Sequence, residues 1–177
     1  MANIEVSTIG NAMLAIKKQD STILVTDPWF DEHDCYFGSW RLTHEIPNKI
    51  KQESLKAKYV FISHFHPDHL NLKTLRLFKN NSKIILGEQL SERVPDELRR
   101  IGFDVIILPT RKWISLDKNC KILMFTDEKQ DTSLLIEITH GENKTLLLNL
   151  NDSDGCGCVN EIKSISEKYR NSILLQL

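Results

Sequence analysis

Short apolar, β-branched stretches recur along the chain and set its rhythm. Residues 4–10 (IEVSTIG), 13–18 (MLAIKK) and 21–27 (STILVTD) read as strands, broken at Gly10-Asn11 and Gln19-Asp20. Residues 28–47, PWFDEHDCYFGSWRLTHEIP, hold several aromatics without a period and read as a long loop, a kind of segment that often carries function. KIKQESLKAK then predicts a short charged helix and YVFIS a buried strand. In NLKTLRLFK, Leu72, Leu75 and Phe78 stand at helical spacing, so a helix is expected there. KIILG reads as the next strand, PDELRRIG as a helix opening at Pro95 and closing at Gly102, and DVIIL as another strand.

Strands return in the second half as WISL, CKILMFT, SLLIEI and KTLLLNL. ITHGENKT reads as a hairpin turn, in which Gly141 and Asn143 can take positive φ. EIKSISEKYR places Ile162, Ile165 and Tyr169 along one helical face, and NSILLQL reads as a last strand. Strands with interleaved helices point to a layered α/β or α+β domain. No repeat or linker interrupts the 177 residues, so the chain reads as one domain over 1–177.

Composition narrows the function classes. A net charge of −1 gives no electrostatic reason to expect nucleic acid or a membrane surface as partner. The N-terminus lacks the pattern of a signal peptide and no apolar run is long enough for a bilayer span, so a cytoplasmic protein acting on a small molecule is expected. Four cysteines in a chain of this length do not suggest a disulfide framework. Cys156 and Cys158 form a C-x-C that either helps hold a metal or simply places two small residues in a Gly-rich loop. Lys49, Lys51, Lys56 and Lys58 read as a solvated face.

The chemistry concentrates in SHFHPDHL, residues 63–70, which holds three of the chain's six histidines. His64 and His66 alternate around Phe65, so on extended backbone they project to one side and can chelate one ion. Pro67 forces a turn that brings Asp68 and His69 towards the same space, where they can hold a second ion. Two divalent ions sharing a water lower its pKa and present hydroxide to an electrophile. The alternative, a histidine-rich surface loop without metal, accounts for neither the density of ligand-type residues nor their place between a buried strand and a helix.

His64, His66, Asp68 and His69 spell H-x-H-x-D-H, and with that the sequence resembles the metallo-β-lactamase superfamily. TILVTDPWF resembles the family's apolar strand ending in an aspartate loop, and KTLLLNLNDSDG the strand that ends in its bridging aspartate, here Asp152. The resemblance implies an α+β fold of the αββα sandwich type and two divalent metal ions, with zinc expected first and iron or manganese as alternatives. Within the superfamily, DPWF, FGSW, DTSLLIE and LNLND resemble the branch of CMP-N-acetylneuraminate hydroxylases and related lactonase-like hydrolases. Those hydroxylases carry a Rieske cluster as well; its C-x-H…C-x-x-H pattern does not occur in this sequence.

Two departures follow. The family takes a further histidine from the segment before DTSLLIE, which here is FTDEKQD; Asp127 is the nearest match, with Glu128 and Asp131 as rivals. A carboxylate there suits a harder ion such as iron or manganese. His140 is a weaker candidate because of its place in the expected turn. The family's final metal histidine lies beyond a strand like NSILLQL, and nothing follows Leu177, so the domain reads as incomplete at its C-terminus, with a sheet edge prone to self-association. Asp27 is expected to orient a ligand histidine or cap a loop. Trp29, Phe37 and Trp40 are core packing or substrate walls, and His33 and His44 read as exposed histidines.

The resulting expectation is a metallo-hydrolase whose metal-bound hydroxide, oriented by Asp68, attacks an ester, lactone or phosphoester. The expected ligands are His64, His66, Asp68, His69, Asp152 and Asp127. An iron-dependent oxygenase component of the CMP-sialate hydroxylase type, with its electron-transfer domain on another polypeptide, is the first alternative. An incomplete, non-catalytic metal-binding domain is the second.

Overall fold

In the computed structural model, which describes residues 4–19, 21–30, 35–154, 157–169 and 171–175, the expected strands assemble into two sheets. They belong to two units: Ile4–Leu86 with Ser91–Ile107, and Gly87–Leu90 with the residues from Leu108 onward.

The first unit is built on β1 (Ile4–Gly10), β2 (Met13–Lys18), β3 (Ser21–Thr26), β4 (Tyr59–Ile62), β5 (Lys83–Gly87) and β6 (Asp104–Leu108), adjacent in chain order. β1, β2 and β3 pair antiparallel, as short connections allow, while β3–β4 and β4–β5 are parallel. The central strands are buried on both faces, which is why they read as continuous apolar runs. Met13, Ala15, Val25, Val60, Ile62, Ile84 and Leu86 line one face and share a core with Trp29, Phe30, Leu75, Phe78, Leu98 and Phe103. The covering elements are α1 (Asn48–Ser54), α2 (Leu72–Leu75) and α3 (Arg93–Arg100).

Two helices differ in detail from expectation. After one α turn, α2 tightens into a 3-10 turn over Arg76–Phe78, so the apolar spacing does not define one long face. Leu75 and Phe78 are buried, whereas Leu72, at the helix start, is 41% exposed. α3 opens two residues before Pro95, which sits in the first turn, where its missing N–H costs nothing. Gly102, at φ 92, ends it as expected.

The second unit orders its strands β11-β10-β9-β8-β7, with β7 (Ile114–Asp117), β8 (Cys120–Thr126), β9 (Thr132–His140), β10 (Asn143–Asn149) and β11 (Asn171–Leu175). β10–β11 is parallel and the other pairs are antiparallel. α4 (Val159–Ser166) brings Ile162, Ile165 and the following Tyr169 onto Leu123, Phe125, Leu135 and Leu146. The hydroxyl of Tyr169 donates to Glu137 Oε2 at 2.6 Å, fastening the end of the helix to β9. The hairpin is tighter than expected: His140 closes β9 opposite Asn143, and Gly141-Glu142 alone make the turn, with Gly141 at φ 60. Asn143 therefore belongs to β10 and not to the turn. Among the described residues β11 and β7 are the edge strands of this sheet, and no helix is long and apolar enough to cross a membrane.

One cap fixes where the histidine turn ends. Asn71 is buried and its Oδ1 accepts from the amide of Thr74 at 2.9 Å, starting α2. Asn71→Ala is expected to lower unfolding stability by about 1 kcal/mol, read as a shift in the urea midpoint with an unchanged m-value.

Candidate metal centre

β4 is a buried strand that ends at Ile62 and leads directly into Ser63 and His64, both of which are buried as well. The chain then turns at Pro67, with the amides of His69 and Leu70 donating to the carbonyl of His66 at 3.0 and 2.8 Å. His64, Asp68 and His69 are buried and His66 is exposed. The turn places His64 Nε2 2.8 Å from His66 Nδ1, the two rings lying edge to face. His69 packs against His64 with centroids 4.0 Å apart. Thus the four residues of the motif are gathered within the first unit, as their spacing predicts.

Asp27 stands behind them. It follows β3 in a left-handed conformation (φ 41), and its amide donates to the carbonyl of Phe61 at 2.8 Å. Its Oδ1 accepts from the amide of Ser63 at 2.8 Å, and its Oδ2 lies 3.5 Å from His69 Nδ1. The expected role, orienting a histidine, matches this geometry. Ser63 adds a hydroxyl 3.0 Å from His64 Nδ1 and 3.2 Å from His69 Nδ1. On His64 this engages one ring nitrogen and turns the other towards His66.

The charges are strongly coupled. His69 Nε2 lies 3.4 Å from Asp68 Oδ2, so a carboxylate flanks the ring at each nitrogen. Burial opposes the charged imidazole, but Asp27 and Asp68 outweigh it and push His69 up to about 10. Burial likewise opposes the charge on Asp68, yet His69 holds its carboxyl well below the usual carboxylate range.

Asp68 has two further neighbours that the sequence did not reveal. Tyr36 donates its hydroxyl to Oδ1 at 3.1 Å, and Asn11, from the β1–β2 turn, places Nδ2 3.4 Å from Oδ2 and from the Asp68 carbonyl. Tyr36 lies in a tight turn with φ 48, followed by Phe37 at 57 and Gly38 at 82. For the two non-glycine residues this conformation costs about 1–2 kcal/mol each. Neither Asn11 nor Tyr36 belongs to a motif; the Tyr-Phe-Gly sequence in the aromatic loop is the only local hint of a turn.

The carboxylates expected from the resemblance belong to the second unit. Asp127 follows β8, where its Oδ1 accepts from the amides of Lys129 and Asp131 at 2.9 and 3.0 Å, and its Oδ2 from Ser153 Oγ at 3.0 Å. It is therefore the main acceptor of its own loop, beside exposed Glu128 and buried Asp131. Asp152 is exposed in the turn after β10, next to Asn151 at φ 51. His44 is exposed, with Nε2 3.2 Å from the carbonyl of Ile9. Trp29 is core, whereas Phe37 and Trp40 are exposed. His33 and Cys156 lie outside the described residues, as does the side chain of His140.

No family model matches the sequence. Among curated proteins, the cytidine monophosphate-N-acetylneuraminic acid hydroxylase of Asterias rubens is 30% identical over 146 residues, 77% of this chain and 22% of that protein. This chain thus spans about a quarter or less of the length of the first relatives it matches. Among solved structures, a possible metal-dependent hydrolase from Veillonella parvula matches with a TM-score of 0.64 at 10% identity, over 98% of this chain and 71% of that one. An isothiocyanate hydrolase from Delia radicum gut bacteria matches with a TM-score of 0.61 at 15% identity, over 96% and 69%. The chain has a fold of the metallo-β-lactamase type. The α+β class with two sheets agrees with that fold, and the H-x-H-x-D-H stretch of the sequence forms the cluster described above.

The two carboxylates make a pH prediction for the protein without metal. His69 is ordinarily half-protonated near 6.5 and in the fold near 10, so its ion pairs contribute stability that is complete below 6.5 and fades towards 10. In chelator-treated protein, NMR titration of the ring should show His69 still charged at pH 8. In Asp27→Asn its midpoint should fall, and the loss of stability between those two pH values should shrink. A ring that titrates near 6.5 in both proteins contradicts the arrangement.

Proposed function

We propose that this chain is a metal-dependent hydrolase acting on an ester, lactone or phosphoester. The observation that carries the reading is the pair of imidazole nitrogens 2.8 Å apart, with Asp68 and His69 beside them and Asp27 behind. Imidazole and carboxylate donors in one cluster fit a divalent ion, zinc first and iron or manganese next. The ligands in the first unit are His64, His66, Asp68 and His69. The resemblance adds Asp152 and Asp127, each tested through its own variant.

When bound, the ions supply an acidified water and a Lewis acid for the developing oxyanion. The chain's own residues do the rest. Ser63 and Asp27 set the ring orientations of His64 and His69, which fixes the direction of their lone pairs. Asp68, held ionised, accepts the hydrogen bond that orients the attacking water. The fold's solved relatives named as hydrolases support this reaction class.

The curated relatives support a second reading, an iron-dependent oxygenase component whose electron-transfer partner is a separate polypeptide. Metal content separates the two. Protein expressed without added metal is expected to carry zinc by elemental analysis and to hydrolyse members of an ester, lactone and phosphodiester panel. Asp68→Asn should lower that hydrolysis by about 100-fold or more. His64→Ala, Asp152→Ala and Asp127→Ala should lose metal, and Asp127→Ala should also lower the melting temperature, because it empties an acceptor of three hydrogen bonds. Iron without hydrolysis favours the oxygenase reading, and full metal content in His64→Ala contradicts both.

A further inference from the structure

We infer that Tyr36 is a positioning residue for Asp68, held on that carboxylate by a left-handed turn in the aromatic loop. The inference rests on the metal-centre reading and assigns a role to a segment that reading leaves unused.

The turn is built to present the phenol. Cys35 and Trp40 form an isolated antiparallel bridge that closes the loop at its base. Inside it, the amide of Gly38 donates to the carbonyl of Cys35 at 3.0 Å, and Ser39 donates from its hydroxyl to the carbonyl of Tyr36 at 2.6 Å. The Tyr36 ring rests on Trp40 with centroids 4.8 Å apart. These contacts hold two consecutive non-glycine residues, Tyr36 and Phe37, at positive φ. The product of that unfavourable backbone is asymmetric: Phe37 is thrown fully into solvent, while the Tyr36 hydroxyl reaches Asp68 Oδ1 at 3.1 Å. A turn serving only to close a loop has no need to expose a phenylalanine.

The chemical consequence concerns the denticity of Asp68. With Oδ1 accepting from Tyr36 and Oδ2 beside His69, the plane of the carboxylate is fixed. A carboxylate so held would have Oδ2 to offer an ion, and the phenol on Oδ1 would disfavour rotation of the group. Partners of metal ligands typically change affinity by about 10–100-fold when removed.

Tyr36→Phe keeps the ring on Trp40 and deletes only the hydroxyl. Cobalt(II) titration of the full chain, followed by its visible absorption, should show affinity reduced by about 10–100-fold and an altered band shape. Phe37→Gly removes the exposed ring but suits the left-handed backbone, so it should match wild type in both. In chelator-treated protein, Tyr36→Phe and Asp68→Asn should be non-additive in their urea midpoints, which reports the contact without metal. Wild-type cobalt binding with an unchanged Tyr36→Phe titration overturns the inference while leaving the metal reading intact. An equal loss in Phe37→Gly also overturns it, by assigning the effect to the loop. Failure of the wild type to bind cobalt overturns the metal reading and this inference with it.

Discussion

The fully buried carboxylate of Asp27 is the tie on which the histidine turn depends. Through its own amide it continues the pairing of β3 with β4, and through Oδ1 it receives the first amide beyond β4. A buried charge is tolerated only when it is hydrogen-bonded and opposed by another. Asp27 meets that condition by engaging Ser63 and His69, so the need to satisfy its charge also dictates how the turn must lie. Its left-handed backbone, unusual outside glycine, is the local cost of reaching both.

A second consequence is electrostatic. His69 is enclosed by Asp27 and Asp68, and the surplus of negative charge is relieved, without metal, by a proton on the imidazole. On the proposed reading, a divalent ion replaces that proton, as metal binding to histidine generally does. The same cluster then acts as a structural ion pair in one state and a ligand set in the other. Ser63 can serve both, since a hydroxyl oxygen has two lone pairs and can accept from each ring's Nδ1–H, or donate to a ring whose Nδ1 lacks the proton.

Most strands were legible because burial leaves a strong signal. YVFI and the Ile84–Leu86 run of β5 are apolar since both faces of their sheet are covered, and CKILMFT matches β8 residue for residue. The clustering of the histidine turn was legible because the four residues lie within six positions around Pro67, close enough in sequence for one turn to gather them. What could not be read depended on geometry without periodicity. The tightening of α2 into a 3-10 turn left Leu72 outside the core, and the two-residue turn moved His140 into β9. Tyr36 and Asn11 meet Asp68 across 32 and 57 residues, separations at which no local pattern exists. Nor does any local pattern foretell the three hydrogen bonds that Asp127 accepts within its own loop and the neighbouring one.

X-ray absorption at the metal edge of the zinc-loaded protein tests the central claim most directly. The account predicts a first shell of nitrogen and oxygen alone, at about 2.0–2.1 Å, with the outer-shell scattering of imidazole. That scattering should weaken in a His64→Ala, His66→Ala double variant. A shell dominated by sulfur at about 2.3 Å would place the ion on the C-x-C cysteines instead, and imidazole scattering untouched by the double variant would contradict the histidine turn as the metal centre.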